Sequence, residues 1–353
     1  MPVTPYISAR PTLSLAGRDN PGLAEDLLSL EIVEHAEGLY RLEAVFANWG
    51  PKNGRVDFLY FDRQTLDFGK DLAVKLGTQT LFQGRISGLE GQFLAGRPPQ
   101  VAVLAEDRLQ DLRMTRRSRS FENLSDQDVF GQIARDHGLQ TDLSLSGPTH
   151  EALAQVNQSD LAFLRERARL IGAEVWVEDR TLGAKPRVGR TASPLELTYG
   201  GGLREFNVLA DLAQQCTGLV IGGWDVSGKE ALRFEATDST VQSELEGAQS
   251  GSSILQSALG ARKQTLAHTN PRTSQEAQAQ AEAVFRLLAR RFVVGQGVAE
   301  PDARLRVGAT VNLKGLGPLF SGKYYLSQTR YRFDTLFGSR LEFTAERPGL
   351  GRP

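Results

Sequence analysis

The sequence predicts a mainly β protein with α+β inserts, built as two antiparallel β-barrels, and three observations carry this. Short segments of alternating apolar and polar residues fill the first 115 residues and return after residue 195. Turn signals such as Asn20-Pro21-Gly22, Asn48-Trp49-Gly50-Pro51 and Lys52-Asn53-Gly54 separate them. Two stretches interrupt the pattern with helical periodicity and their own capping residues.

Residues 1–115 are read as the first barrel. Leu13 and Leu15 alternate with Thr12 and Ser14, and Leu42, Ala44 and Phe46 with Arg41 and Glu43. Leu72, Val74 and Leu76 form a third such strand, and Val101, Val103 and Ala105 a fourth. Residues 116–194 are read as an α/β insertion. Ser125-x-x-Asp128 is a capping box opening a helix with Val129, Ile133 and Ala134 inward and Gly138 as its stop. A second helix begins at Ser159, faces Leu161, Leu164, Ala168 and Ile171 inward, and stops at Gly172. Ala173 to Glu178 then reads as a strand, and Pro186 to Pro194 as a boundary.

Residues 195–240 and 305–347 are assigned to the second barrel. Gln215 to Trp224 is its glycine-punctuated buried strand, and Leu341, Phe343 and Ala345 mark its last. Residues 241–304 are a helical and loop insertion, with a helix capped at Thr273 that carries Ala277, Ala281, Val284, Phe285 and Leu288. Residues 348–353 are a flexible tail, because Arg347 to Pro353 is too rich in Gly and Pro for regular structure.

A length of 353 residues allows two or more domains, each with its own core. The formal net charge of -1 gives no global field toward nucleic acid or an anionic membrane. Met1-Pro2-Val3-Thr4-Pro5 does not read as a signal peptide, and Leu219-Val220-Ile221 is too short an apolar run to span a bilayer. The single cysteine, Cys216, excludes an internal disulfide and fits folding in a reducing cytoplasm.

Motifs that could carry chemistry fail on context. Gly317-x-x-x-x-Gly322-Lys323 ends in Tyr324, where a phosphate loop needs Ser or Thr, and a strand follows it. His35, His137, His150 and His268 show no metal-ligand spacing and read as surface or cap residues; no metal or cofactor is expected. Glu31 and Glu34 as a glycosidase pair are outweighed by a solvated edge. Cys216 reads as a small core residue, and Gly200-Gly201-Gly202 as a hairpin or bulge. Arg108, Arg113, Arg116, Arg117 and Arg119 form the one electrostatic cluster, either a solvated face or a patch that docks an acidic partner. With only Phe121 nearby, nucleic acid is the weaker partner.

Gln158 to Glu178 resembles the signature segment of the phage late-control protein D family, which is similar to the hub part of VgrG spike proteins. Phe46 to Pro51, Leu66 to Gly69, Phe82 to Ile86, Ala105 to Leu109, Val220 to Asp225 and Val307 to Tyr325 agree in the same order. The resemblance implies two tube-like barrels and a homotrimeric baseplate hub that joins a sixfold tail tube to a threefold spike. It implies a structural protein without catalysis, made in the bacterial cytoplasm and assembled into a virion tail or a secretion-type injection particle. Tail tube and spike proteins are the implied partners, with baseplate wedge and tape-measure proteins beside them and nucleic acid only as passing cargo. The chain stops near Pro353 without the needle that follows the hub in VgrG, so a separate spike protein is expected. The alternative, a tail-associated cell-wall hydrolase, lacks a paired-carboxylate or zinc-ligand signal.

Overall fold

The computed structural model describes residues 10–190, 194–226, 228–267, 269 and 271–352. His268 lies outside them, as do residues 191–193 of the expected boundary and Pro353 of the expected tail.

Alternating side chains in the two barrel segments do form strands, but the strands join in one thirteen-stranded sheet rather than two separate barrels. From one edge its order is Leu203–Ala210, Val293–Ala299, Gly338–Arg347, Gly322–Asp334, Leu27–His35, Arg41–Ala47, Gln100–Glu106, Gln79–Gln92, Asp71–Leu76, Thr12–Leu15 and Arg18–Asp19. Thr310–Lys314 adds to Gly322–Asp334 and pairs in parallel with Leu195–Thr198; no closed barrel is found among the described residues. The halves meet where Leu27–His35 pairs with Gly322–Asp334, as in Ile32 opposite Tyr331 and Leu30 opposite Phe333.

One apolar face of this sheet buries a core shared by both halves, with Leu13, Ile32, Phe46 and Phe82 from the first and Val293, Tyr324 and Leu341 from the second. Removing that surface from water is the main force holding the halves together. Close packing shows at Gly297, which sits in register between Phe206 and Phe343. A Cβ there would lie 2.4 Å from the Phe343 ring, so only hydrogen lets both rings cross the strand.

The first insertion has its own core of Val129, Phe130, Ile133, Leu161, Leu164 and Val175. Leu39, Leu109 and Leu112 belong to that core, so it begins before the boundary at residue 116. Its helices are Asp126–Asp136 and Asp160–Leu170, capped as the sequence predicts: Ser125 and Asp128 bond reciprocally, and the Ser159 hydroxyl accepts from the Ala162 N–H. Gly138 and Gly172 follow them at φ +65° and +68°, conformations that favour glycine at a helix end. The antiparallel pair Arg116–Ser125 with Thr149–Ser159 and a sheet of Gln140–Leu143, Thr181–Pro186 and Ala173–Glu178 complete it.

The second insertion differs from expectation. Gly218–Asp225 does not join the large sheet; it pairs with Glu230–Thr237 and Lys263–Leu266 in a separate three-stranded sheet. Helix Ser274–Arg290, capped by Thr273, packs on it, burying Ala281 and Phe285 against Cys216, Leu219 and Ile221. Trp224 is exposed at the end of this small sheet. Conversely Val293–Ala299, placed in the insertion, is an inner strand of the large sheet. The short strand Gly349–Leu350 pairs with Gln249–Ser250, so the tail is regular through Leu350; backbone bonds there need no side-chain pattern.

Candidate functional site

Strand alternation turns polar side chains, with a few exposed apolar ones such as Leu104 and Leu209, to the second face of the large sheet, and the join between the halves concentrates charge on it. Arg332 Nε lies 2.7 Å from Glu31 and its Nη1 lies 3.4 Å from Glu342. Arg330 lies 3.6 Å from Glu31 and 3.8 Å from Glu342. Arg340 lies 3.2 Å from Glu342 and 3.4 Å from Asp334. Single pairs in such half-exposed settings contribute about 0–1 kcal/mol, so their stabilising value is small. Their electrostatic value is larger: three arginines and three carboxylates cancel. Beside them a hollow of about 910 Å³ is lined by Asn207, Gln296, Gln328 and Thr344. Such a balanced cluster leaves little net field at the join to hold a polyanion or a polycation.

The five arginines singled out in the sequence are largely engaged within the chain. Arg108 pairs with Asp71 at 2.9 Å and Arg113 with Glu106 at 2.6 Å. Arg119 holds Asp136 and Asp160, both at 2.8 Å, and lies over the Phe121 ring. Arg117 is 3.3 Å from Asp160, and Arg116 donates to the Asn157 carbonyl at 3.4 Å. Only Arg113, Arg116 and Arg117 of the five are exposed, so they do not form one free cationic patch.

Two of the three described histidines are structural rather than superficial. Burial disfavours charge on Asp160, yet hydrogen bonds from His137 and Gln155 and the nearby arginines hold its carboxyl below the usual range. His150 is buried; its Nε2 lies 3.2 Å from Asp126 and its Nδ1 3.0 Å from Glu276 of the second insertion. Hydrogen bonds to Asp126 and Glu276 push its pKa up to about 9, against burial and the Arg167 charge. His35 alone is exposed. Glu31 and Glu34, three apart on one strand, point to opposite faces, so they cannot flank one substrate. Glu34 is buried, bound by Arg306 and the Val307 N–H. Cys216 is buried, and burial raises its thiol pKa. Gly317–Phe320 is one short helical turn leading into a strand, not a phosphate loop.

A polar seam that sequence reading missed ties the first insertion to the large sheet. Arg187 bridges Glu174 at 2.8 Å and Glu346 at 2.9 Å and stacks on Tyr325. Arg190 reaches Glu174 at 2.8 Å and the Tyr40 hydroxyl at 2.6 Å. No spacing rule could have found it, since its partners come from four distant segments. Among the described residues no group of three or more His, Cys, Asp or Glu side chains is arranged to hold a metal ion, and no helix is long and apolar enough to cross a membrane.

A family model described as the Alg8 N-terminal domain matches residues 52–334. The chain belongs to that family. This match does not by itself support the resemblance of the sequence segments to the late-control protein D family. No curated protein matches the chain. Among solved structures, the 43 kDa tail protein of prophage MuSo2 from Shewanella oneidensis is similar at TM-score 0.70 and 12% identity, covering 96% of this chain and 98% of that one. A tail protein from Neisseria meningitidis MC58 is similar at TM-score 0.70 and 12% identity, over 97% of each chain. An E. coli component of the type VI secretion system is similar at TM-score 0.59 and 15% identity, over 97% of this chain and 79% of that one. At such identities the likeness is one of fold: this member of the Alg8 N-terminal domain family has the fold of phage tail proteins.

Proposed function

We propose that the chain is a structural hub subunit of a contractile phage tail or a related injection machine, acting without catalysis. The observation that carries this reading is the fold match that spans nearly all of this chain and nearly all of two tail proteins. The polar, charge-balanced sheet face supports it, because a wall past which a polymer must slide needs hydration without net attraction. In this reading three copies form a ring, each giving two tube-like halves, so that a threefold assembly presents six similar units. The ring would adapt a sixfold tail tube to a threefold spike, with Glu31, Arg332 and Glu342 toward the channel and both insertions outside. Kinship to the late-control protein D family belongs to the same reading, as do wedge and tape-measure partners.

Native mass spectrometry of the purified chain at micromolar concentration tests the ring. The expected species has three times the 38.6 kDa chain mass. A closed twofold dimer as the stable species would overturn it.

A further inference from the structure

We propose that the groove between the two insertions is a docking site for an extended, acidic peptide segment of a partner protein. Helix Asp160–Leu170 walls one side of this cavity of about 730 Å³ and helix Ser274–Arg290 the other, with Val294 and Thr344 of the large sheet beneath. At its base the helices come close, because a Cβ on Gly172 would stand 3.3 Å from that of Ala283. Ala168, Ala283, Val284 and Leu287 make the lining apolar, and Leu287 is 43% exposed.

Two observations specify the occupant. Among the described residues, the Oε1 of Gln280, a side chain only 7% exposed, accepts no hydrogen bond, and the Thr269 hydroxyl on the same lining finds no partner. A buried acceptor without a donor is costly, and buried polar groups are normally satisfied. A peptide backbone supplies both kinds of partner, an N–H for Gln280 and a carbonyl for Thr269, once its docking uncovers these atoms, which solvent does not reach in the free chain. Charge supplies the second constraint, since five arginines line the groove against three glutamates. Arg187, Arg169 and Arg290 are held by Glu174 and Glu346, by Glu37 and by Glu244. Arg165 donates only to the carbonyls of Glu37 and Gly38, and Arg291 is exposed; neither has an ion pair among the described residues. A segment with a carboxylate beside an apolar side chain complements that excess. A fatty acid matches the charge and the lining but has no N–H for Gln280. The site does not depend on the hub reading.

Panning a phage-displayed random heptapeptide library on the full chain tests this. Peptides combining Asp or Glu with large apolar residues should be enriched. Their synthetic forms, followed by fluorescence anisotropy, should bind Arg291→Glu about tenfold more weakly. Gln280→Leu should also weaken them, with the thermal melt of each variant showing a folded chain. No enrichment, enrichment of basic or uncharged peptides, equal binding to Arg291→Glu, or uptake of decanoate without any selected peptide would each overturn it.

Discussion

His150 shows how much at the residue scale depends on partners far away in sequence. Asp126 lies 24 residues from it and Glu276 lies 126 away, so the triplet cannot be read from spacing. Its folded pKa of about 9 exceeds the unfolded value near 6.5, so its stabilisation is complete below about pH 6.5 and lost as pH rises through 9. The melting temperature should therefore fall between pH 7 and pH 10 more steeply in the native chain than in His150→Asn. Parallel slopes would show that the imidazolium contributes nothing. The same scale holds Gly297, whose replacement by Ala forces a Cβ into the Phe343 ring. Overpacking of that kind costs about 1–3 kcal/mol, and Phe343→Ala about 3–5 kcal/mol, both measurable by urea unfolding. An unchanged midpoint for Gly297→Ala would mean that the strand moves aside freely.

Elements were unequally legible, and the difference is physical. Helices announced themselves because a cap and its stripe lie within about 17 residues: Ser125, Ser159 and Thr273 all cap as their neighbours predict. Thr273→Ala should cost about 1 kcal/mol, seen as a lower melting temperature; an unchanged one would make the cap ornamental. Among the long strands that went unread, two belong to the first half of the large sheet. Leu27–His35 carries a bulge between Leu27 and Ser29 and places Glu34 on the core face, which breaks its alternation. Gln79–Gln92 contains Gly84, Gly88 and Gly91 and a second bulge, so it reads as turns. The cluster of three arginines and three carboxylates at the join was hidden for the same reason, since Glu31 sits in an unread strand. Because Leu27–His35 is paired on both sides, Val33→Pro removes a ladder bond that no water can replace. That variant should be insoluble on expression, whereas Val33→Thr should stay soluble; a soluble, cooperatively melting Val33→Pro chain would remove this strand as the join.

On the scale of the whole molecule, the sequence conveyed a β chain with two insertions but misassigned which strands each insertion contains. Gly218–Asp225 and Val293–Ala299 are both short, glycine-containing and apolar, and nothing local says which sheet each joins. What decides it is tertiary. Val293–Ala299 finds unpaired edges on Leu203–Ala210 and Gly338–Arg347, while Gly218–Asp225 lies under helix Ser274–Arg290. The consequence is a single sheet that runs through both halves, with an apolar face inside and a charge-balanced face that the two insertions flank near Val294 and Thr344 and leave open around Glu31, Arg332 and Glu342. That open face is the centre of the functional account, and cryo-electron microscopy of the assembled particle tests it most directly. Three copies are expected around a channel whose wall carries Glu31, Arg332 and Glu342, with both insertions on the outer surface. A reconstruction in which that face is packed dry against another protein, or in which the insertions line the channel, would contradict it.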